Sequence, residues 1–281
     1  MTSSDLKLIK EWLSKQNHLP QNIDDNLLKR FLQCSKNSIE QSKSLIELFY
    51  TVRSQAPEIF ANRDPKQPEL QMIFENIDFL PLPTLTEDNC KVFIYRILTN
   101  DVDKYDFVNG VKAFFIFADV RMVSEDQIPE GEIPIFDMKN FTLRHLTKIV
   151  LPVLKKYMIY TQEAHPIRLR AIHLLNTPPF LDKCMAFVRP FLNSEVAEML
   201  HSHLPDSDTL YQFVPRRCLP AEYGGEPDLT CEGLKREWMD KVMKFREYLM
   251  DESRWTVDES RRTGDKRHTG MEGSFRTLSI D

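Results

Sequence analysis

Apolar positions recur at helical spacing along the first quarter of the chain and then give way to short, strand-like runs. Leu6, Ile9 and Leu13 share one face of a helix predicted over 5–16, with Leu8 and Trp12 beside them. Pro20 and the Asn22–Asp25 cluster interrupt it and start a second helix that carries Leu27, Leu28, Phe31 and Leu32. Asn37-Ser38-Ile39-Glu40 has the form of an N-capping box, and the helix after it presents Ile39, Leu45, Ile46, Phe49 and Val52 before Pro57 closes it. Five prolines (57, 65, 68, 81 and 83) then fall within 57–84, a composition shift that reads as a connector. The pattern predicts a helical module over 1–75 and a connector over 76–90.

Beyond that point the period changes. Val92–Leu98 and Ile133–Met138 are short apolar runs, and Arg168–Leu175 alternates before an Asn-Thr-Pro-Pro break, so each is predicted to be a strand. Asp106–Val123 and His145–Thr161 between them have the length and period of helices. Strand–helix–strand–helix–strand predicts an α/β fold with a mostly parallel sheet and flanking helices, here assigned to 91–250. From about residue 256 the chain turns polar and loses its period, which predicts a C-terminal tail within 251–281. On a helical wheel of 180–192, Phe180, Cys184, Phe187 and Phe191 form one apolar stripe, and Leu181, Met185, Val188 and Leu192 form the next. So wide an arc suits a helix buried on most sides, or a lid that faces a lipid inside and a membrane outside.

Composition narrows the function. A formal charge of −5 argues against a nucleic-acid or general polyanion binder. Only 8 of 281 residues are glycine, and their positions assemble neither a Rossmann nor a P-loop fingerprint. The 18 Phe and 11 Met suit a large apolar interior. The charged start MTSSDLKLIKEW has no signal-peptide run, and no apolar stretch approaches the ~18 residues of a membrane span. Five cysteines (Cys34, Cys90, Cys184, Cys218 and Cys231), odd in number and without CxxC, read as reduced thiols. A cytoplasmic monomer is expected.

No enzyme signature stands out. The chain lacks a GxSxG elbow and an HExxH metal helix. His201 and His203, spaced i, i+2 and followed by Asp206 and Asp208, have no third ligand at zinc spacing. His145, His173 and Asp137 can be drawn as a triad, but such a choice among 7 histidines carries little weight. Neither a catalytic centre, a metal nor a cofactor is expected.

Three motifs carry a resemblance. RLRAIHLLN at 168–176, Val188-Arg189-Pro190-Phe191-Leu192, and LPAEYGG at 219–225 together resemble the CRAL-TRIO lipid-binding family, in its α-tocopherol-transfer-protein-like branch. Ile135-Phe136-Asp137-Met138 and Ile94-Tyr95-Arg96-Ile97 fit the same pattern, and Leu28–Gln33 resembles the family's N-terminal three-helix module. GMEGSFR at 270–276 is similar to tails of arthropod members. The resemblance implies a helical N-terminal module ahead of a sheet whose flanking helices enclose a cavity for one hydrophobic ligand. It also implies transfer of that lipid between membranes under a mobile lid. A lipid-sensing regulatory or scaffold module that binds a protein partner is the alternative.

By resemblance, Val111, Phe114, Ala118, Phe136, Tyr160, Thr161, His165, Leu169 and Ile172 line the cavity. Phe180, Cys184, Phe187, Val188 and Phe191 join them from the lid. Phe114 and Ala118 stand where the tocopherol branch offers small hydroxyls, which sets tocopherol itself apart. His165 replaces an aromatic and is read either as a partner for a ligand hydroxyl or carbonyl or as an imidazole satisfied in the core or by solvent. Arg168 and Arg170 match two phosphoinositide-gripping cations, and Arg189 is added to them, whereas Glu195 and Met199 replace two others. The expected partners are therefore a small hydrophobic ligand and, transiently, an anionic or phosphoinositide-containing membrane.

Overall fold

The computed structural model describes residues 3–262, so the 270–276 motif and most of the expected tail lie outside the described residues. Three helices open the chain: α1 (Ser3–Leu13), α2 (Asp25–Cys34) and α3 (Ile39–Ser54). Asp24 and Ser38 cap the second and third by accepting from the Asn26 and Gln41 N–H groups, which satisfies first-turn donors. Two short helices follow, α4 (Pro57–Phe60) and α5 (Pro68–Asn76), each with its proline in the first turn where no N–H is needed. The proline-rich stretch is thus not a plain connector. It also holds an edge strand, β1 (Ile77–Pro81), which pairs antiparallel with β2 (Cys90–Ile97).

The remaining elements alternate as their pattern predicts. α6 (Phe107–Ser124) leads to β3 (Gly131–Asp137), then α7 (Leu143–Leu146) and α8 (Leu151–Ile159) lead to β4 (Ile172–Leu175). The single helix predicted over 145–161 is split because Pro152 starts α8. Its far end opens into a wide π turn, Tyr160–Ala164, in which the His165 N–H donates to the Tyr160 carbonyl at 2.8 Å. After β4 come α9 (Leu181–Val188), α10 (Ser194–Glu198), a three-residue strand β5 (Leu200–Ser202), α11 (Cys231–Lys244) and α12 (Arg246–Met250). The sheet order is β1-β2-β3-β4-β5, and every pairing after the first is parallel.

Strand alternation divides the sheet into two unlike faces. Leu80, Val92, Ile94, Ile133, Ile135 and Leu175 face a packed core shared with Leu210, Val214, Leu219 and Leu234. On the other face, Phe79, Tyr95, Phe136 and Leu174 stand side by side across four strands.

A second core joins α1, α2 and α3 to α6, α8 and Trp255, so the N-terminal module shares its interior with the sheet domain. At its centre Asp119 of α6 pairs with both Arg53 and Arg63, all three buried. Burial alone would raise the Asp119 pKa, but the two guanidiniums outweigh it and hold the carboxyl below the usual range. The Trp255 ring covers both arginines, 4.5 Å from each guanidinium. Residues 251–262 are therefore not free tail. Val257 donates its N–H to Ser54 Oγ, Asp258 donates to the His18 carbonyl, and Arg262 pairs with Glu47.

Candidate ligand-binding site

Between the aromatic face of the sheet and α6, α8 and α9 lies an apolar cavity of about 580 Å3. Ligand pockets typically fall between about 300 and 1,000 Å3, so the space is ample for one lipid. Phe79, Phe93, Tyr95, Pro134, Phe136 and Leu174 form its floor. Tyr95 and Phe136 stack at 5.2 Å, and Tyr95 meets Phe114 of α6 at 4.9 Å, so the floor is braced from both sides. Leu154, Tyr157 and Met158 of α8 close one wall.

The structure brings together most of the predicted site residues. Val111, Phe114, Ala118, Phe136, Thr161, His165, Leu169, Ile172, Cys184 and Val188 all border the cavity. Tyr160, Phe180, Phe187 and Phe191 do not. The Tyr160 ring is fully buried among Phe49, Phe60 and Phe115, and its hydroxyl accepts from Arg53 Nη1 at 2.8 Å. On α9 the inward side is Leu181, Cys184, Met185 and Val188, the i, i+3, i+4, i+7 set, so the leucine–methionine stripe faces the ligand space. The phenylalanine stripe shares only Cys184 with it. Leu192, Val196 and Met199 continue this roof.

The predicted basic patch is less available than its spacing implies. The strand predicted over Arg168–Leu175 forms only as β4, and Arg168 ahead of it is half-buried, donating to the Gln33 carbonyl and pairing with Glu130 at 3.3 Å, which ties this segment to α2. Arg170 is exposed and lies across Gly131, and Arg189 is exposed in the turn after α9. Glu195 and Met199 border the cavity instead.

The motifs converge on one carboxylate at the C-terminal end of β3. Asp137 Oδ1 accepts from Asn176 Nδ2 at 2.8 Å, and Oδ2 accepts from the Tyr223 hydroxyl at 2.7 Å. Asn176 ends the IHLLN strand with φ +53, and Tyr223 belongs to LPAEYGG. Gly224 has φ +67, and a Cβ on Gly225 would strike the Leu219 carbonyl, so both glycines are required by the backbone there. His173 bonds His203 at 2.9 Å rather than joining His145 or Asp137, which dissolves the paper triad. Among the described residues, no cluster of three His, Cys, Asp or Glu could hold a metal, and no helix is long and apolar enough to cross a membrane.

Sequence reasoning found His165 but missed the two charged residues beside it. Arg121 and Glu132 border the cavity at the same end, with Arg121 Nη2 paired to Glu132 and its guanidinium 4.5 Å from the Phe93 ring. The signal was present: Arg121 continues the Val111, Phe114, Ala118 stripe of α6, and Glu132 alternates with Pro134 and Phe136 on β3. His165 is 7% exposed, and burial, with Arg121 the charge acting most strongly on it, drives its pKa down to about 3. The ring is neutral at physiological pH.

The fold is thus an α/β domain with an apolar cavity walled by a mostly parallel sheet and roofed by a short apolar helix, and residues 79–225 match the CRAL/TRIO domain model. The chain belongs to that family. Residues 1–70 match a second model, described as a Pinta-like UBA domain. The α-tocopherol transfer protein-like protein of Mus musculus is 26% identical over 222 residues, covering 79% of this chain and 64% of that protein. Clavesin-1 of Xenopus laevis is 22% identical, and clavesin-2 of Rattus norvegicus 23%, each match covering 72% of this chain. The chain thus spans under two thirds of the length of these relatives. The solved structure of Sfh5 shares the fold, with a TM-score of 0.51 at 16% identity, covering 83% of this chain and 92% of that one.

Proposed function

We propose that this protein carries one hydrophobic lipid in the cavity and transfers it between membranes, with α9 as the lid. The observation that carries the reading is the aromatic-floored space of about 580 Å3 beneath a helix whose inward side is wholly apolar. Burying about 15 carbons at ~0.8 kcal/mol each gives roughly 12 kcal/mol before ordering costs, enough for sub-micromolar binding without a charged anchor. An open lid in water would expose Leu181, Met185 and Val188, which keeps the closed state favoured until a bilayer receives them.

Docking on a phosphoinositide-containing membrane falls to Arg170 and Arg189, with Arg168 contributing what its tie to Gln33 leaves over. The net charge of −5 makes such docking local and salt-sensitive. The test is transfer of a fluorescent lipid between vesicles by protein in which a disulfide tethers α9 to α8. The tethered protein should retain bound lipid and lose transfer; unchanged transfer would remove α9 from the mechanism. Arg170→Ala with Arg189→Ala should slow delivery to phosphoinositide vesicles and leave equilibrium lipid affinity unchanged.

A further inference from the structure

Arg121, Glu132 and His165 border the cavity where the start of β3, the end of α6 and the π turn meet. Arg96 and Asp137 border it at the opposite ends of the strands and are already paired, with Asp78 and with Asn176 and Tyr223 respectively. Three buried polar atoms of the first group have no hydrogen-bond partner: Arg121 Nε and both ring nitrogens of His165. Arg121 is 1% exposed and His165 7%, so neither has bulk solvent to compensate. Other unpartnered buried nitrogens, on Arg53 and Arg63, sit under the Trp255 ring and do not border the cavity. A buried polar group left without a partner costs on the order of 1–3 kcal/mol, so this end of the space holds an unmet demand.

We propose that the Arg121–His165 end seats the head group of the cargo, and that the head is a single hydroxyl. The inference rests on the carrier reading and names the ligand class within it. A neutral imidazole offers one donor and one acceptor, and Arg121 Nε offers a donor. A hydroxyl can give its proton to the bare imidazole nitrogen and accept from a guanidinium N–H, so it meets one of each need. A carbonyl only accepts and leaves the bare nitrogen unmet. A carboxylate would bring a third negative charge to an arginine already paired with Glu132 and Glu125, and would lack the proton that His165 requires. A pure hydrocarbon would leave all three atoms unpartnered. The cavity is therefore matched to a long-chain or polycyclic lipid alcohol that enters head first toward β3.

Three pyrene probes of one chain length, pyrenyldecanol, pyrenyldecane and pyrenyldecanoic acid, test this by fluorescence titration of the full chain. The alcohol should bind about tenfold tighter than the hydrocarbon, the worth of one well-made hydrogen bond, and tighter than the acid at neutral pH. His165→Phe should erase the alcohol's advantage over the hydrocarbon while hydrocarbon binding persists, and His165→Gln, which keeps a donor and an acceptor, should retain it. Equal binding of alcohol and hydrocarbon by the unmodified protein would overturn the head-group assignment and leave the carrier reading standing. An advantage that survives His165→Phe would overturn the role of His165. Failure of the unmodified protein to take up any of the three would instead overturn the carrier reading.

Discussion

The two faces of the sheet share strands and register but not chemistry. One face buries Leu80, Ile94 and Ile135 in a core shared with Leu210, Val214, Leu219 and Leu234. The other sets Phe79, Tyr95 and Phe136, each the chain neighbour of one of those residues, across the same strands and encloses about 580 Å3. Branched aliphatic side chains adapt their shape to a neighbour and fill the gap between layers. A row of stacked rings braces itself, so the floor keeps its form without a layer pressed onto it. The difference teaches that a cavity in a folded domain is maintained by side chains that support one another along the sheet.

The comparison breaks most completely if a charge enters the open face. Phe136→Arg should lower lipid uptake at least about a hundredfold, because an unpaired cation in an apolar space costs several kcal/mol, while the fold, followed by circular dichroism, persists. Retained uptake in folded protein would show that Phe136 does not face the cargo. On the filled face, Ile135→Ala should instead cost about 2–5 kcal/mol in urea unfolding and leave lipid affinity unaltered. If the two phenotypes exchange, the faces have been assigned the wrong way round.

A smaller effect sharpens the same contrast, since each face buries a neutral histidine. His165 beside the cavity and His173 on the filled face both have pKa values lowered to about 3, in each case first by burial. Protons therefore bind the unfolded chain more readily than the native one below its ordinary histidine value of about 6.5. Stability is fully present above that pH and falls as pH drops from 6.5 toward 3, by at most about 1.4 kcal/mol per pH unit for each ring. Urea midpoints at pH 7.5 and 5.5 should differ, and His165→Gln or His173→Gln should each reduce the difference. Identical midpoints for the unmodified protein would mean that neither ring is held neutral.

Legibility followed how much local sequence each feature uses. β2, β3 and α6 were readable because their periods run for seven or more residues. β1 was hidden in a proline-rich stretch, and β5 spans only three residues, so neither has a period of its own and both depend on a neighbour's ladder. In α9 the wheel gave two adjoining stripes, but which one turns inward is decided by docking over the cavity. Tyr160 was misplaced because a π turn rotates the residues of 160–164 relative to an ordinary helix, and Arg53 draws its hydroxyl into the core. Arg121 and Glu132 are in register with cavity stripes, but each is a charged residue in an apolar pattern, and only the fold shows that they pair with one another beside the cavity. The family resemblance was carried by residues that meet in space, Asp137, Asn176 and Tyr223, which is why motifs so far apart in sequence belong together.

The Trp255 cover has a bearing on how the molecule is made. A ribosome releases the chain from its N-terminus, so Arg53 and Arg63 emerge before their counter-charge Asp119, and the indole that shields them emerges later still. The apolar sides of the first three helices gain α6 as a partner first, and the two arginines gain their indole cover only afterwards. The interior around Arg53 and Arg63 consequently stays unfinished until residue 255 is made, for a time set by elongation rate. A nascent chain stalled before residue 255 would keep Arg53, Arg63 and Asp119 uncovered, whereas one extended past it has the indole that closes over them.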